Sequence, residues 1–239
     1  MSEVSCRCGE FAQRSDISQA GCMQPEPEPC CFDKWATGNA RRARRKEIAA
    51  GVTRDLLEAL GSSRVEGRTV LDLGCGTGDL ALAALARGAT RATGVDLGLG
   101  AIQEARALAS ERLVSDRSMF TVGDAATVHL DPHDVVFLNR VLCCYPHVDA
   151  LLTNSLPAAH HVYAFTAPPS AGLGGIIARA EARLANVWYR ARVSKFHGFR
   201  VHIHDLEMVD RQIREAGFLP IFEGRRRLAW RLAIYERTA

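Results

Sequence analysis

The chain has 239 residues, 47% of them hydrophobic and 24% charged, which is enough for one well-cored domain. Its net charge is only +3, so no strong nucleic-acid field is expected, and the lysines are limited to Lys34, Lys46 and Lys195. No apolar run reaches membrane-spanning length and the N-terminus lacks a signal pattern, so a cytoplasmic protein with no membrane span is expected. The eight cysteines then read as thiols. Cys6 and Cys8, Cys30 and Cys31, and Cys143 and Cys144 come in close pairs, but none has the spacing of a structural zinc site, so no metal is expected.

Residues 1–29 are polar and end in PEPEP, which favours a flexible N-terminal tail. Residues 30–66 differ in composition. Ile48, Val52, Leu56 and Leu60 recur at helical spacing, and Gly61 can close that helix. Phe32 and Trp35 precede it, and two readings of them stand side by side. They staple the helix to the domain, or residues 30–66 form a helical lid whose Phe32 and Trp35 wall the acceptor. The run Arg41 to Lys46 reads as a solvated helix face, although arginine forks can also grip carboxylates.

Thr69 to Leu80 reads TVLDLGCGTGDL. Val70 to Leu73, interrupted by Asp72, suits a buried parallel strand, and the alanine- and leucine-rich stretch from Leu80 suits a helix packed on it. Gly74, Gly76 and Gly78 supply the tight turn between them. Strand, glycine turn and helix form the first unit of a nucleotide-binding α/β sheet. A dinucleotide fingerprint would need its third glycine at Asp79, so a dinucleotide is disfavoured. A second strand ends at Asp96, followed by Leu97. An acid at that edge is where such a sheet hydrogen-bonds a ribose.

Next come a helix over residues 101–113 and a third strand ending at Asp124. A fourth strand spans Asp134 to Leu138 and is followed by Asn139. A fifth stops at Pro168. Ala171 to Arg192 is expected to be helical, with Leu173, Ile177, Leu184 and Trp188 available for one face. Asp205 looks like the N-cap of a helix that buries Leu206, Val209, Ile213 and Ala216 and ends at Gly217. LPIFEG and LAWRLAIYE form a closing pair of strands.

The acid followed by G-x-G-x-G resembles motif I of class I S-adenosylmethionine methyltransferases. That resemblance implies an α/β, Rossmann-like class I methyltransferase with a seven-stranded, mostly parallel sheet and an antiparallel C-terminal hairpin. Its core would span 67–239, with an acceptor-side helical insertion at about 171–200. The implied cofactor is S-adenosylmethionine. On the same resemblance Gly74 and Gly76, with Cys75 between them, line the methionine part, and Asp72 orients the turn or the ammonium. Asp124 contacts the adenine amine, Ala125 lies under the ring, and Asn139 stands at the strand end that faces the methyl group. Cys75 itself reads as filler.

Several pieces are similar to one family, the magnesium-protoporphyrin O-methyltransferases. They are the Phe32 and Trp35 pair, VLCCYP at 141–146, AFTAPPS at 164–170 and FRVHIHDLEMVDRQIREAGF at 199–218. Cys144 stands where that family has a histidine, and Pro169 where it has a lysine. Tyr145 and His204 match, which makes them catalytic candidates. His147, just past Pro146, is a third. Phe32, Trp35, Cys144 and Tyr145 are the candidate acceptor contacts.

Methyl transfer from a sulfonium is an in-line displacement that needs alignment and a dry pocket. A carboxylate acceptor is already ionised and needs no base. O-methylation of a small carboxylate or hydroxyl is therefore expected, with no nucleic-acid partner. Residues 139–142 (Asn139, Arg140, Val141, Leu142) lack the signature of nucleic-acid methyltransferases. Two alternatives remain. One is an S-methyltransferase acting on a thiol or metalloid near Cys143, Cys144, Cys30 and Cys31, against the plainer reading of these thiols as small packing groups. The other is a non-catalytic S-adenosylmethionine-binding regulator.

Overall fold

The computed structural model describes residues 50–191, 199–226 and 230–238. The expected positions Phe32, Trp35, Cys30, Cys31 and Ile48 lie outside them.

Seven strands form one sheet in the order β3-β2-β1-β4-β5-β7-β6. They are β1 (Thr69–Leu73), β2 (Arg91–Asp96), β3 (Ser118–Val122), β4 (His133–Asn139), β5 (Ala159–Ala167), β6 (Phe218–Arg226) and β7 (Trp230–Arg237). The first five run parallel, while β7 pairs antiparallel with both β5 and β6. This is the sheet expected from the sequence, closing hairpin included. The chain leaves β1 for β2 on one side and later returns to β4 on the other. That reversal opens a crevice at the C-terminal ends of β1 and β4, where sheets of this kind bind ligands.

Burial on both faces follows from strand alternation. Val135 and Phe137 join one core layer with α1 (Val52–Leu60), α2 (Asp79–Ala86) and α3 (Leu99–Glu111). Val136 and Leu138 point the other way, into a layer with α4 (Val148–Ser155) and α6 (Leu206–Glu215). Tyr163 and Phe165 of β5 follow the same rule and are fully buried in the second layer. Leu80 to Leu85 are all buried, so α2 is apolar around its whole circumference rather than along one stripe.

Asp205 caps α6 as expected, its Oδ1 accepting the Glu207 amide at 2.9 Å. The third strand ends at Val122, two residues short of Asp124, which therefore lies in the loop after it.

The largest correction concerns α5 (Gly172–Ala191). The expected face of Leu173, Ile177, Leu184 and Trp188 is not the one that packs. Gly174, Gly175, Ala178 and Ala182 are buried, whereas Leu173 and Leu184 are 69% and 73% exposed. A Cβ at Gly175 would stand 2.5 Å from the Ser170 carbonyl carbon, so the helix seats by its small residues. Among the described residues no helix is long and apolar enough to cross a membrane.

Candidate ligand site at the sheet switch point

The turn after β1 is built by its glycines. Gly74 and Gly78 have φ of 67° and 77°, which other residues rarely adopt. A Cβ at Gly74 would also strike the Val141 side chain. The Gly74 and Cys75 amides both donate to the Val95 carbonyl, at 2.7 and 3.1 Å, so the turn is pinned to the end of β2.

Asp96, one residue further on, locks the two turns together. Its Oδ2 accepts the Gly76 amide and its Oδ1 the Gly98 amide, each at 2.8 Å. Asp124 is held in a similar way. Its Oδ1 accepts the Ala126 amide at 2.9 Å, and the Tyr145 hydroxyl donates to it at 2.7 Å. Burial, with Asp124 beside it, pushes the Tyr145 phenol well above its usual range.

Asn139 joins three elements. Its amide donates to the Thr53 hydroxyl of α1 at 2.9 Å, and its carbonyl oxygen accepts from Thr166 of β5 at 2.8 Å. The next residue, Arg140, has a φ of 62°, and its amide donates to the same Thr166 hydroxyl at 2.9 Å. A non-glycine residue held in the left-handed region at a strand end is strain stored at a site.

These groups surround a cavity of about 350 Å³. Gly74, Gly76, Asp96, Leu97, Asp124, Ala125, Asn139, Cys144 and Tyr145 line it, so nine of the expected site residues converge there. Asp72, Cys75, His147 and His204 do not line it. Cys75 is buried, as its reading as filler requires. His147 is exposed at the start of α4, and its ring stands edge-on to Tyr145 at 6.3 Å. His204 donates from Nε2 to the Tyr145 carbonyl at 2.8 Å, which makes it a brace for that loop.

Asp72 is only 2% exposed, and its Oδ2 has no hydrogen-bond partner among the described residues. Burial, reinforced by Asp96 and Asp79, pushes it up to about 8, against an amide from Ala81 that works the other way.

The sequence reading missed Arg140, Phe199 and Trp230, which also line the cavity. Arg140 carried a signal, as a cation directly after the last residue of a ligand-facing strand. Phe199 and Trp230 approach from distant parts of the chain, and nothing in their local pattern marks them.

Residues 70–159 match the family model described as a methyltransferase domain. Residues 70–159 are thus a methyltransferase domain, and the sheet has the class I methyltransferase fold. The curated relatives include a ribosomal protein L11 methyltransferase of Yersinia pseudotuberculosis, 36% identical over 132 residues. That match covers 55% of this chain and 42% of the relative, less than half of its length. Among solved structures, the magnesium protoporphyrin IX methyltransferase of Synechocystis PCC 6803 with bound S-adenosylhomocysteine is similar, with a TM-score of 0.61 and 20% identity. It covers 87% of this chain and 96% of that one. An O-methyltransferase family 2 protein of Planctomyces limnophilus in complex with apigenin has a TM-score of 0.62 at 20% identity, covering 87% and 62%. The methyltransferase domain thus shares its fold with proteins of different acceptors.

Proposed function

We propose that this protein is a methyltransferase that uses S-adenosylmethionine to methylate an oxygen of a small acceptor carrying a carboxylate. The observation that carries the acceptor reading is Arg140. It lines the cavity, is fixed in a strained conformation by Thr166, and offers a planar cationic fork suited to a carboxylate.

The donor reading rests on the cavity's two acids and its glycine turn. Asp96, held in place by its two amide bonds, stands at the end of β2 where ribose hydroxyls would bind. Asp124, in the loop just after β3, stands to accept from an adenine amine. The bare backbone at Gly74 and Gly76 admits the methionine part. Bound there, S-adenosylmethionine supplies an electrophilic methyl group on a cationic sulfur. Val95, Leu97, Ala125, Val141 and Leu151 keep the wall apolar and limit water. Arg140 aligns an already ionised acceptor, so no side chain has to remove a proton.

Residues 30–66 complete the proposal as a lid, since Asn139 at the cavity holds α1 through Thr53. Residues 1–29 are proposed as a dispensable tail. A protein acceptor is the second reading, favoured by the name of the curated relatives.

The test incubates the purified protein and S-adenosylmethionine with metalloporphyrin carboxylates, other carboxylic acids, phenols, thiols and ribosomal protein L11. Mass spectrometry then follows S-adenosylhomocysteine and the methylated product. A methyl ester whose formation has a raised acceptor KM in Arg140→Ala supports the proposal. Methylation of L11 alone overturns the small-acceptor reading. A loss confined to donor affinity moves Arg140 to the donor's own carboxylate.

A further inference from the structure

Cys143 and Cys144 are consecutive in the loop after β4, and their Sγ atoms stand 3.4 Å apart. Both line the cavity. The separation excludes a disulfide, whose sulfurs are about 2.0 Å apart. It is also short for zinc, because two thiolates with bonds of about 2.3 Å on a tetrahedral centre sit about 3.8 Å apart. Zinc needs four donors besides, and among the described residues no group of three or more His, Cys, Asp and Glu is gathered to hold a metal. A trivalent pyramidal centre draws two sulfurs closer and needs only two protein donors when it brings its own third substituent.

We propose that Cys143 and Cys144 form a two-sulfur site for trivalent arsenicals on the wall of the ligand cavity. Thiolates are soft ligands and suit a soft, thiophilic centre. The contact with Cys144, with the Arg140 charge nearby, holds Cys143 below the usual thiol range. Cys144 is raised by the same contact and by burial. The Cys144 amide donates to the Val141 carbonyl at 2.8 Å, and that turn keeps both side chains on one side.

The surroundings favour an organic substituent on the arsenic. Phe199 lines the same cavity, with Tyr189 edge-on to it at 4.8 Å. With phenylarsine oxide the balance is simple. Two S–H bonds are lost, two As–S bonds form, and the arsenic-bound oxygen leaves with both protons as water. The arsenic stays trivalent, so no oxidant or reductant is required.

The test uses the reduced full chain and phenylarsine oxide, with intact-mass spectrometry and a free-thiol count as readouts. Cys6, Cys8, Cys22, Cys30 and Cys31 offer competing thiols, so a variant with serine at those five positions is the reference. It is expected to take up one phenylarsenic group per chain, lose two free thiols, and be restored by excess dimercaptopropanol. Adding Cys143→Ser or Cys144→Ser should abolish that adduct. Cys144 is half-buried, so its variant keeps the test informative if Cys143→Ser folds poorly. An adduct that persists in both variants, or a reference that takes up none, overturns the proposal.

Discussion

The Tyr145 hydroxyl lies 2.7 and 2.9 Å from the two oxygens of Asp124, so a phenol and a carboxylate share one corner of the cavity. This pairing changes what Tyr145 can do. A phenol held well above its usual range stays protonated at neutral pH and acts as a donor, not as a base. Tyr145→Phe should therefore leave the shape of the pH–rate profile unchanged. It should weaken donor affinity by about tenfold to a hundredfold, the scale of one hydrogen bond to a charged group. Loss of an alkaline or acidic limb in the variant's profile would return Tyr145 to acid–base chemistry.

Asp96 has a different weight, because two backbone amides depend on it. Hydrogen bonds to a charged group contribute about 1.5–3 kcal/mol each, and both are lost together in Asp96→Ala. The variant should bind S-adenosylmethionine at least about a hundredfold more weakly and melt several degrees lower. Calorimetry and thermal denaturation measure the two effects separately. Unchanged donor affinity with a lowered melting temperature would make Asp96 a turn lock only.

Thr166 serves both neighbours at the end of β4. Its hydroxyl donates to Asn139 and accepts from the Arg140 amide, and it is fully buried. Thr166→Val keeps the volume but strands both partners, which should cost about 1–3 kcal/mol. Arg140 would also lose the contact that holds its left-handed backbone, so the acceptor KM should rise more than the donor KM. Equal effects on both would show that the hydroxyl only supports the fold.

Much of this architecture is legible in the sequence, and the parts that are not share a cause. The sheet announces itself because buried parallel strands need continuous apolar runs, and Val70 to Leu73 or Val135 to Leu138 have no other use. Asp96 is legible as the acid that ends the second strand, and Asp124 as the acid just past the third. The packing of α5 is not, because a pattern search rewards large apolar residues. The contact there is set instead by close approach at Gly174, Gly175, Ala178 and Ala182. The 3.4 Å contact between the Cys143 and Cys144 sulfurs and the Tyr145–Asp124 pair are likewise unreadable. They depend on side-chain directions in loops, which residue type does not determine. His147 shows the converse, since nearness in sequence to Tyr145 does not put its ring in the cavity, and the motif match that named His204 does not put that ring there either.

Asp72 makes stability depend on pH in the direction opposite to that of a salt-bridged acid. Its carboxyl is raised from an ordinary 3.8 to about 8 by burial, with Asp96 and Asp79 adding to the effect. The folded state therefore holds a proton that the unfolded chain releases across that interval. The stability this confers is fully present below the unfolded value and is lost as pH rises through the folded one. The slope can approach about 1.4 kcal/mol per pH unit between the two values and levels off above the higher. Asp72→Asn keeps a neutral group in the same space. Any cost of its amide hydrogens is the same at every pH. The melting temperature of the natural chain should thus fall between pH 5 and 8 relative to that of Asp72→Asn, with the gap closing in the acid direction. Parallel curves for the two proteins would show that Asp72 is ionised in the fold and finds a compensating partner there.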